Sequence, residues 1–436
     1  MDCAVEFPEN ATSQNADGER VVTKNSRFSN MKKKPFSSLG NLRRTLRGFS
    51  FSKSMSMQSV VSNGSTSCSS IPVDNVDNFF SDEGSTPHRC SSSSRGNNNQ
   101  TGKVAVDCFE NANLSYGIAQ LPGCKDQDRF DIRVSAEGEF SEVNYFSIFD
   151  GHGTSAFAAD VCEESLFDSV GTHTLPSDGA IVEAYDVMDR KVRENEREPR
   201  TGTCAITLFL NQEEPANLID DFSQEIEGKV AWVGDCRCMY ISQDGTVRQL
   251  TQDHRIDGNK SEEERVLNSD HSTREGLLES TVWRNEFAKA EQCGEVTFLR
   301  SHSFIGRRTH NGVATGPRCV FAHTGGVSLQ VTRSIGDPYA ARSVISTPEV
   351  VSFSVPRGEY ARFVLGSDGL FDIFSCQDVA KFVSSYKDPS RAAKKLAVQA
   401  KQKRLYAGMS LDDITVLVID LNPEMRKFSK RKNLFS

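Results

Sequence analysis

Short runs of β-branched and aromatic residues recur from residue 101 onward. VNYFSIFD (143–150), TCAITLFL (203–210), KVAWVGD (229–235), RCMYIS (237–242), ARFVLGSD (361–368) and ITVLVIDL (414–421) read as short buried strands. Between them the pattern changes to apolar residues at helical spacing, which predicts helices over 154–170, 178–196 and 390–405. In VGDCRCMYISQDGTVRQL (233–250), QDG reads as a turn between consecutive antiparallel strands. Antiparallel sheets accompanied by helices predict an α+β architecture rather than a doubly wound one. No internal repeat is present.

The first hundred residues lack this patterning. They are dense in Ser, Asn, Gly and Lys/Arg, with runs such as CSSSSRGNNNQ (90–100). Such a segment buries too little apolar surface to offset its chain entropy, so 1–100 is expected to be a disordered N-terminal extension. Within it, 24–53 carries Lys24, Arg27, Lys32, Lys33, Lys34, Arg43, Arg44, Arg47 and Lys53 and no acid, with serines interleaved. It reads either as a solvated basic tail or as a regulatory segment that touches anionic membrane or acidic protein and is switched by serine phosphorylation. A second basic tail, 423–436, closes the chain and leaves 101–422 as the folded domain.

A chain of 436 residues accommodates one large domain with extensions. Its net charge of −8 argues against nucleic acid as the main partner. The twelve cysteines are scattered, without CxxC pairs, as expected for reduced thiols of an intracellular protein of the cytosol or nucleus. No apolar run approaches the length of a membrane span. The N-terminus lacks the pattern of a secretory signal, and Asp2 excludes myristoylation.

Aspartates mark the strand ends. They fall in KDQDRF (125–130), FSIFDGHG (146–153), AWVGDCR (231–237), VLGSDGLFD (364–372) and LDDITVLVID (411–420). Carboxylates beside hydrophobic strands are costly to cluster unless a cation neutralises them, and hard divalent ions prefer oxygen ligands. Asp150-Gly151-His152-Gly153 alone could be an ordinary Asp-Gly turn with a surface histidine. Ser367-Asp368-Gly369, Gly234-Asp235 and Asp412-Asp413 repeat the theme, and several together point to a metal site.

The order of DGHG, GDCR, LTQDH (250–254), VTRSIGD (331–337), SDGLFD and DDITVLV resembles the metal-dependent Ser/Thr protein phosphatases of type 2C, the PPM phosphatases, over roughly residues 105–420. The resemblance implies a four-layer α-β-β-α sandwich, with two antiparallel sheets flanked by helices and a metal cleft at one edge. It also implies that Asp128, Asp150, Asp368 and Asp412, with the carbonyl of Gly151, hold two Mg²⁺ or Mn²⁺ ions. A hydroxide bridging such ions, about 3.5–4 Å apart, attacks phosphorus directly. His152 matches the histidine that protonates the leaving alkoxide. Asp235 and Asp372 match positions linked to a third, weaker ion, with orientation of the ligands as their rival role. The implied partners are phosphoserine and phosphothreonine proteins, acted on by a monomer.

Four departures qualify the match. Gln127 precedes Asp128 where glutamate is common. Between Tyr116 and Asp128 the only cation is Lys125, in place of an upstream phosphate-gripping arginine. Lys125 reads either as a point-charge contact to phosphate or as a solvated loop lysine. The usual Gly-Ser-Thr-Ala strand reads Gly202-Thr203-Cys204-Ala205. The flap, about 255–330, is long and polar, with a charged helical start at 261–269, and 270–325 is expected to select substrate or to autoregulate. The rival to an active enzyme is a pseudophosphatase, the same fold serving as a binding or scaffold module. A phosphatase of small metabolites is the third reading.

Overall fold

In this computed structural model the described residues are 105–426, apart from 112, 135–142, 172–173, 196–199, 212–224, 271–296, 299–302, 311–312 and 323–327. The expected N-terminal extension, its basic segment 24–53 and most of the 423–436 tail lie outside them, as does much of 270–325.

Two antiparallel sheets form the centre. The first has the order β1 (Ala105–Glu110), β2 (Leu114–Leu121), β16 (Ile414–Leu421), β15 (Ala361–Gly366), β7 (Arg237–Ser242), β8 (Val247–Gln249). The second has the order β14 (Glu349–Pro356), β6 (Glu225–Val233), β5 (Thr201–Asn211), β4 (Val143–Gly153), β3 (Arg129–Arg133), with β13 (Ile335–Gly336) paired to β5.

The two-residue period of the strands assigns the layers. Phe363 and Leu365 of β15, Leu417 and Ile419 of β16, and Phe146 and Ile148 of β4 belong to the core between the sheets. Their alternates face outward. Val364, Val416 and Val418 join the core under helices α5 (Cys376–Val383) and α6 (Pro389–Tyr406), while Tyr145 and Phe149 join the core under α1 (Phe157–Val170) and α2 (Asp178–Arg193). Both sheets are therefore covered on both faces, which explains why β2 and β16 are buried along their whole length. The result is the expected four-layer α-β-β-α sandwich.

Local signals set the helix starts. Asp388 caps α6 by accepting from the amides of Ser390 and Arg391, with Pro389 at the first helical position. Ser375 and Asp378 form a reciprocal capping box on α5. Arg362, 1% exposed, pairs with Asp420 at 2.6 and 2.7 Å and donates to the carbonyls of Val383, Tyr386 and Lys387, stapling the α5–α6 connection to the sheet.

The β7–β8 hairpin around QDG is present, but β6 and β7 belong to different sheets. Gly234–Cys236 carries the chain across the sandwich, and Asp235 sits on that crossing. The flap at about 255–330 is described in part. It contains α3 (Lys260–Asp270), which matches the charged helical start, followed by a separate sheet in the order β12 (Ser328–Leu329), β11 (Val313–Phe321), β10 (Phe304–His310), β9 (Thr297–Phe298). No described helix is long and apolar enough to cross a membrane.

Candidate active site

Strand ends at one edge of the sandwich deliver the acids. Asp150 lies near the end of β4, Asp128 immediately precedes β3, Asp368 follows β15 and opens the short helix α4 (Asp368–Phe371), and Asp412 precedes β16. Oxygen atoms of Asp150, Asp235 and Asp368 all lie within 4.8 Å of one another. The amide of Asp368 donates to Oδ2 of Asp150 at 3.3 Å, tying the two sheets together at this point.

Asp128 is 1% exposed and is positioned by Thr415, whose Oγ1 donates to Oδ2 at 2.7 Å. Its loop is held by Asp413, a residue with no role in the sequence reading. The Asp413 carboxylate accepts from the amides of Gly123 and Gln127, both at 2.5 Å, and of Asp126 and Asp128, both at 3.2 Å. Of the Asp412-Asp413 doublet, one acid thus organises the loop. The other, Asp412, is half exposed and lies 3.3 Å from Nη2 of the buried Arg404. Gly151 is required by space, since a Cβ there would lie 2.4 Å from the carbonyl oxygen of Gln127.

These carboxyls are strongly unfavourable as a set of bare anions. Burial, followed by the neighbouring Asp413, pushes Asp128 well above the usual carboxylate range, although Thr415 opposes the rise. Burial and then Asp128, Asp235 and Asp412 do the same to Asp150, and burial with Asp150 and Asp235 to Asp368. Burial also raises Asp412, against the pull of Arg404. A buried, oxygen-only donor set with excess negative charge fits a hard divalent cation.

Beside the acids, Nε2 of His152 meets Oδ2 of Asp337 at 2.7 Å. Ser334 Oγ donates to the same oxygen at 2.6 Å, and the Asp337 amide donates to the carbonyl of Thr201. Gly202 makes room for the pair, because a Cβ there would lie 2.2 Å from Oδ2 of Asp337 and 2.5 Å from Nε2 of His152. Burial lowers the His152 pKa, but Asp337 outweighs it and the imidazole ends above its ordinary value. Lys125 is exposed on the neighbouring loop, and its charge opposes that of His152.

Sequence reasoning also passed over Arg255, the residue after LTQDH. Its Nε and Nη2 lie 2.7 and 2.5 Å from Oδ2 of Asp235, Nη1 lies 3.1 Å from Asp372, and Nη2 lies 3.7 Å from Asp368. Cys204, the thiol noted as a departure, donates to the other oxygen of Asp235 at 3.3 Å. Asp337 ends the VTRSIGD motif and Arg255 follows LTQDH, but both motifs served only to mark order.

A second group, His254, Glu262 and Glu349, also brings its polar atoms within 4.8 Å. It is a buttress and not a donor set. The Gly234 amide donates to Nδ1 of His254, which places the imidazole proton on Nε2, facing Glu349 at 3.7 Å. Glu262 is already paired with Arg265 and Arg333. His254 stacks on Trp232 and so fixes the Gly234–Asp235 crossing.

Among the described cysteines, Cys162, Cys204, Cys236, Cys238, Cys319 and Cys376 are free thiols, whereas Cys124 is disulfide-bonded, contrary to a wholly reduced set.

The chain is 26% identical over 318 residues to probable protein phosphatase 2C 59 of Arabidopsis thaliana, covering 71% of this chain and 80% of that one. It is 27% identical over 317 residues to probable protein phosphatase 2C 59 of Oryza sativa subsp. japonica, covering 71% and 76%. Among solved structures, the serine-threonine phosphatase 2C of Toxoplasma gondii aligns with a TM-score of 0.49 at 16% identity, over 73% of this chain and 99% of that one. The sequence profile described as Protein phosphatase 2C matches residues 126–405, and this chain belongs to that family.

Proposed function

We propose that this chain is a metal-dependent phosphatase of phosphoserine and phosphothreonine proteins. The observation that carries the reading is the approach of Asp150 and Asp368, with oxygens within 4.8 Å of each other, beside the His152–Asp337 pair at one edge of the sandwich.

Asp128, Asp150, Asp368 and Asp412, with the carbonyl of Gly151, would hold two Mg²⁺ or Mn²⁺ ions. Bound there, such ions supply Lewis acidity and a water of lowered pKa. The protein supplies the rest. Thr415 and Asp413 hold Asp128 and its loop, so the donors are preorganised. Asp337 occupies Nε2 of His152, which leaves Nδ1–H to donate to the oxygen of the departing serine or threonine. Asp337 also keeps that imidazole protonated at higher pH than burial alone would allow. Lys125, exposed on the loop before Asp128, would steer the phosphate as a point charge.

In this reading 101–422 is the catalytic domain, and the flap at about 255–330 governs access of phosphoprotein substrates in the cytosol or nucleus. Assembly of the donors together with an oriented acid favours catalysis over a binding role for the same fold.

The test is Asp150→Asn and Asp368→Asn, each of which removes ligand charge without changing shape. Both are expected to abolish Mn²⁺-dependent hydrolysis of a phosphothreonine peptide while leaving the circular dichroism spectrum unchanged. Wild-type turnover in either variant would contradict the assignment.

A further inference from the structure

Family resemblance suggests that Asp235 and Asp372 serve a third ion. Here their environment does not fit one. We propose that the guanidinium of Arg255 stands where Asp235, Asp368 and Asp372 would otherwise bind an additional cation, so that this cleft takes two ions and supplies the next positive charge from its own chain. The inference rests on the reading of the acidic cluster as a cation centre and deepens it.

Three observations support the assignment. Arg255 reaches all three carboxylates at once, with 2.5 and 2.7 Å to Asp235, 3.1 Å to Asp372 and 3.7 Å to Asp368. Two donors converge on one oxygen of Asp235 while a third reaches Asp372, so a single guanidinium bridges carboxylates from two segments of the chain. Second, Arg255 is anchored rather than draped over the site. Its backbone bridges to Val331, and its neighbours His254 and Ile256 are 0% and 1% exposed. Third, Asp235 has both oxygens engaged, one by Arg255 and the other by the Cys204 thiol at 3.3 Å. A dication held by Asp235 and Asp372 would have to lie against a fixed guanidinium and displace it from both. A guanidinium stays protonated throughout the working pH range, so the group is a fixed cation. Asp128, Asp150, Gly151 and Asp412 make none of these contacts with Arg255, and Asp368, at 3.7 Å, is not hydrogen-bonded to it, so the donors of the two ions stay available.

The experiment counts bound Mn²⁺ by electron paramagnetic resonance in the full-length protein, during titration to millimolar Mn²⁺ and without reference to activity. Wild type is expected to saturate at two ions per chain, and Arg255→Ala at three. Arg255→Lys, which keeps a cation, is expected to match wild type. Adding Asp372→Asn to Arg255→Ala is expected to remove the gained ion. Arg255→Gln, closer in shape, replaces the alanine variant if that protein does not fold. Equal counts in wild type and the neutral variants overturn the inference, as does a third ion in wild type. Absence of any Mn²⁺ from wild type would instead contradict the proposed function, and a one-ion difference between wild type and Arg255→Ala would still separate the two questions.

Discussion

Nε2 of His152 lies 2.7 Å from Oδ2 of Asp337, across a separation of 185 positions in the chain. The contact depends on Gly202 and on the pairing of β13 with β5, which sets Ile335 opposite Thr203 and Gly336 opposite Gly202. Asp337 itself has φ of +51°, a conformation that non-glycine residues seldom adopt and that turns its carboxylate toward the imidazole.

Asp337→Asn removes the charge that holds the His152 pKa up against burial. If the protonated imidazole is the working acid, peptide turnover falls as pH rises through that pKa. The variant is therefore expected to shift this loss to lower pH and to cut kcat at neutral pH by up to about 10²-fold. An aryl phosphate, whose leaving group needs little protonation, should be affected less. A pH–rate profile identical to wild type would remove Asp337 from the mechanism.

The raised carboxyls give a second prediction. Asp128, Asp150 and Asp368 have folded-state pKa values above their ordinary ones, mainly through burial and mutual repulsion. Without ions they favour the fold at low pH, and that contribution is lost as pH rises through the folded values. Cation binding takes the ionised forms and so must displace protons over the same range. Mn²⁺ is therefore expected to raise the melting temperature more at about pH 7.5 than at about pH 5. Calorimetric titration in two buffers of different ionisation enthalpy should detect released protons. A shift independent of pH would count against the cluster as the binding site.

Asp413 separates structure from ligation within one doublet. Asp413→Ala leaves the amides of Gln127 and Asp128 without their acceptor inside the protein. A loss of about 1–3 kcal/mol in unfolding free energy is expected, together with weaker Mn²⁺ binding through a loosened Asp128. Denaturant melts and a Mn²⁺ titration check both parts. Unchanged values in both would mean that the loop holds itself.

The layers of this fold are legible because β15, β16 and β4 carry apolar residues on both faces, and helix-period stretches lie between the strands. The order of the aspartate motifs was equally visible, and it led to the acids that the structure brings to one edge. Single residues that act through a distant partner were not visible. Nothing local to Arg255 points to Asp372, 117 positions away, and nothing in VTRSIGD points to His152. The crossing at Gly234–Cys236 was missed because a strand, a turn and a second strand look the same whether or not the chain changes sheets. Asp412 and Asp413 are indistinguishable in sequence, and only the amides converging on Asp413 tell their work apart.

The most direct test of the central claim is hydrolysis of a phosphothreonine peptide by the purified full chain with Mn²⁺, with Mg²⁺ and with chelator. The account predicts turnover with either ion, none with chelator, and a preference for the peptide over an aryl phosphate. A folded protein that binds Mn²⁺ yet leaves the peptide intact, or one that cleaves it in chelator, would contradict it.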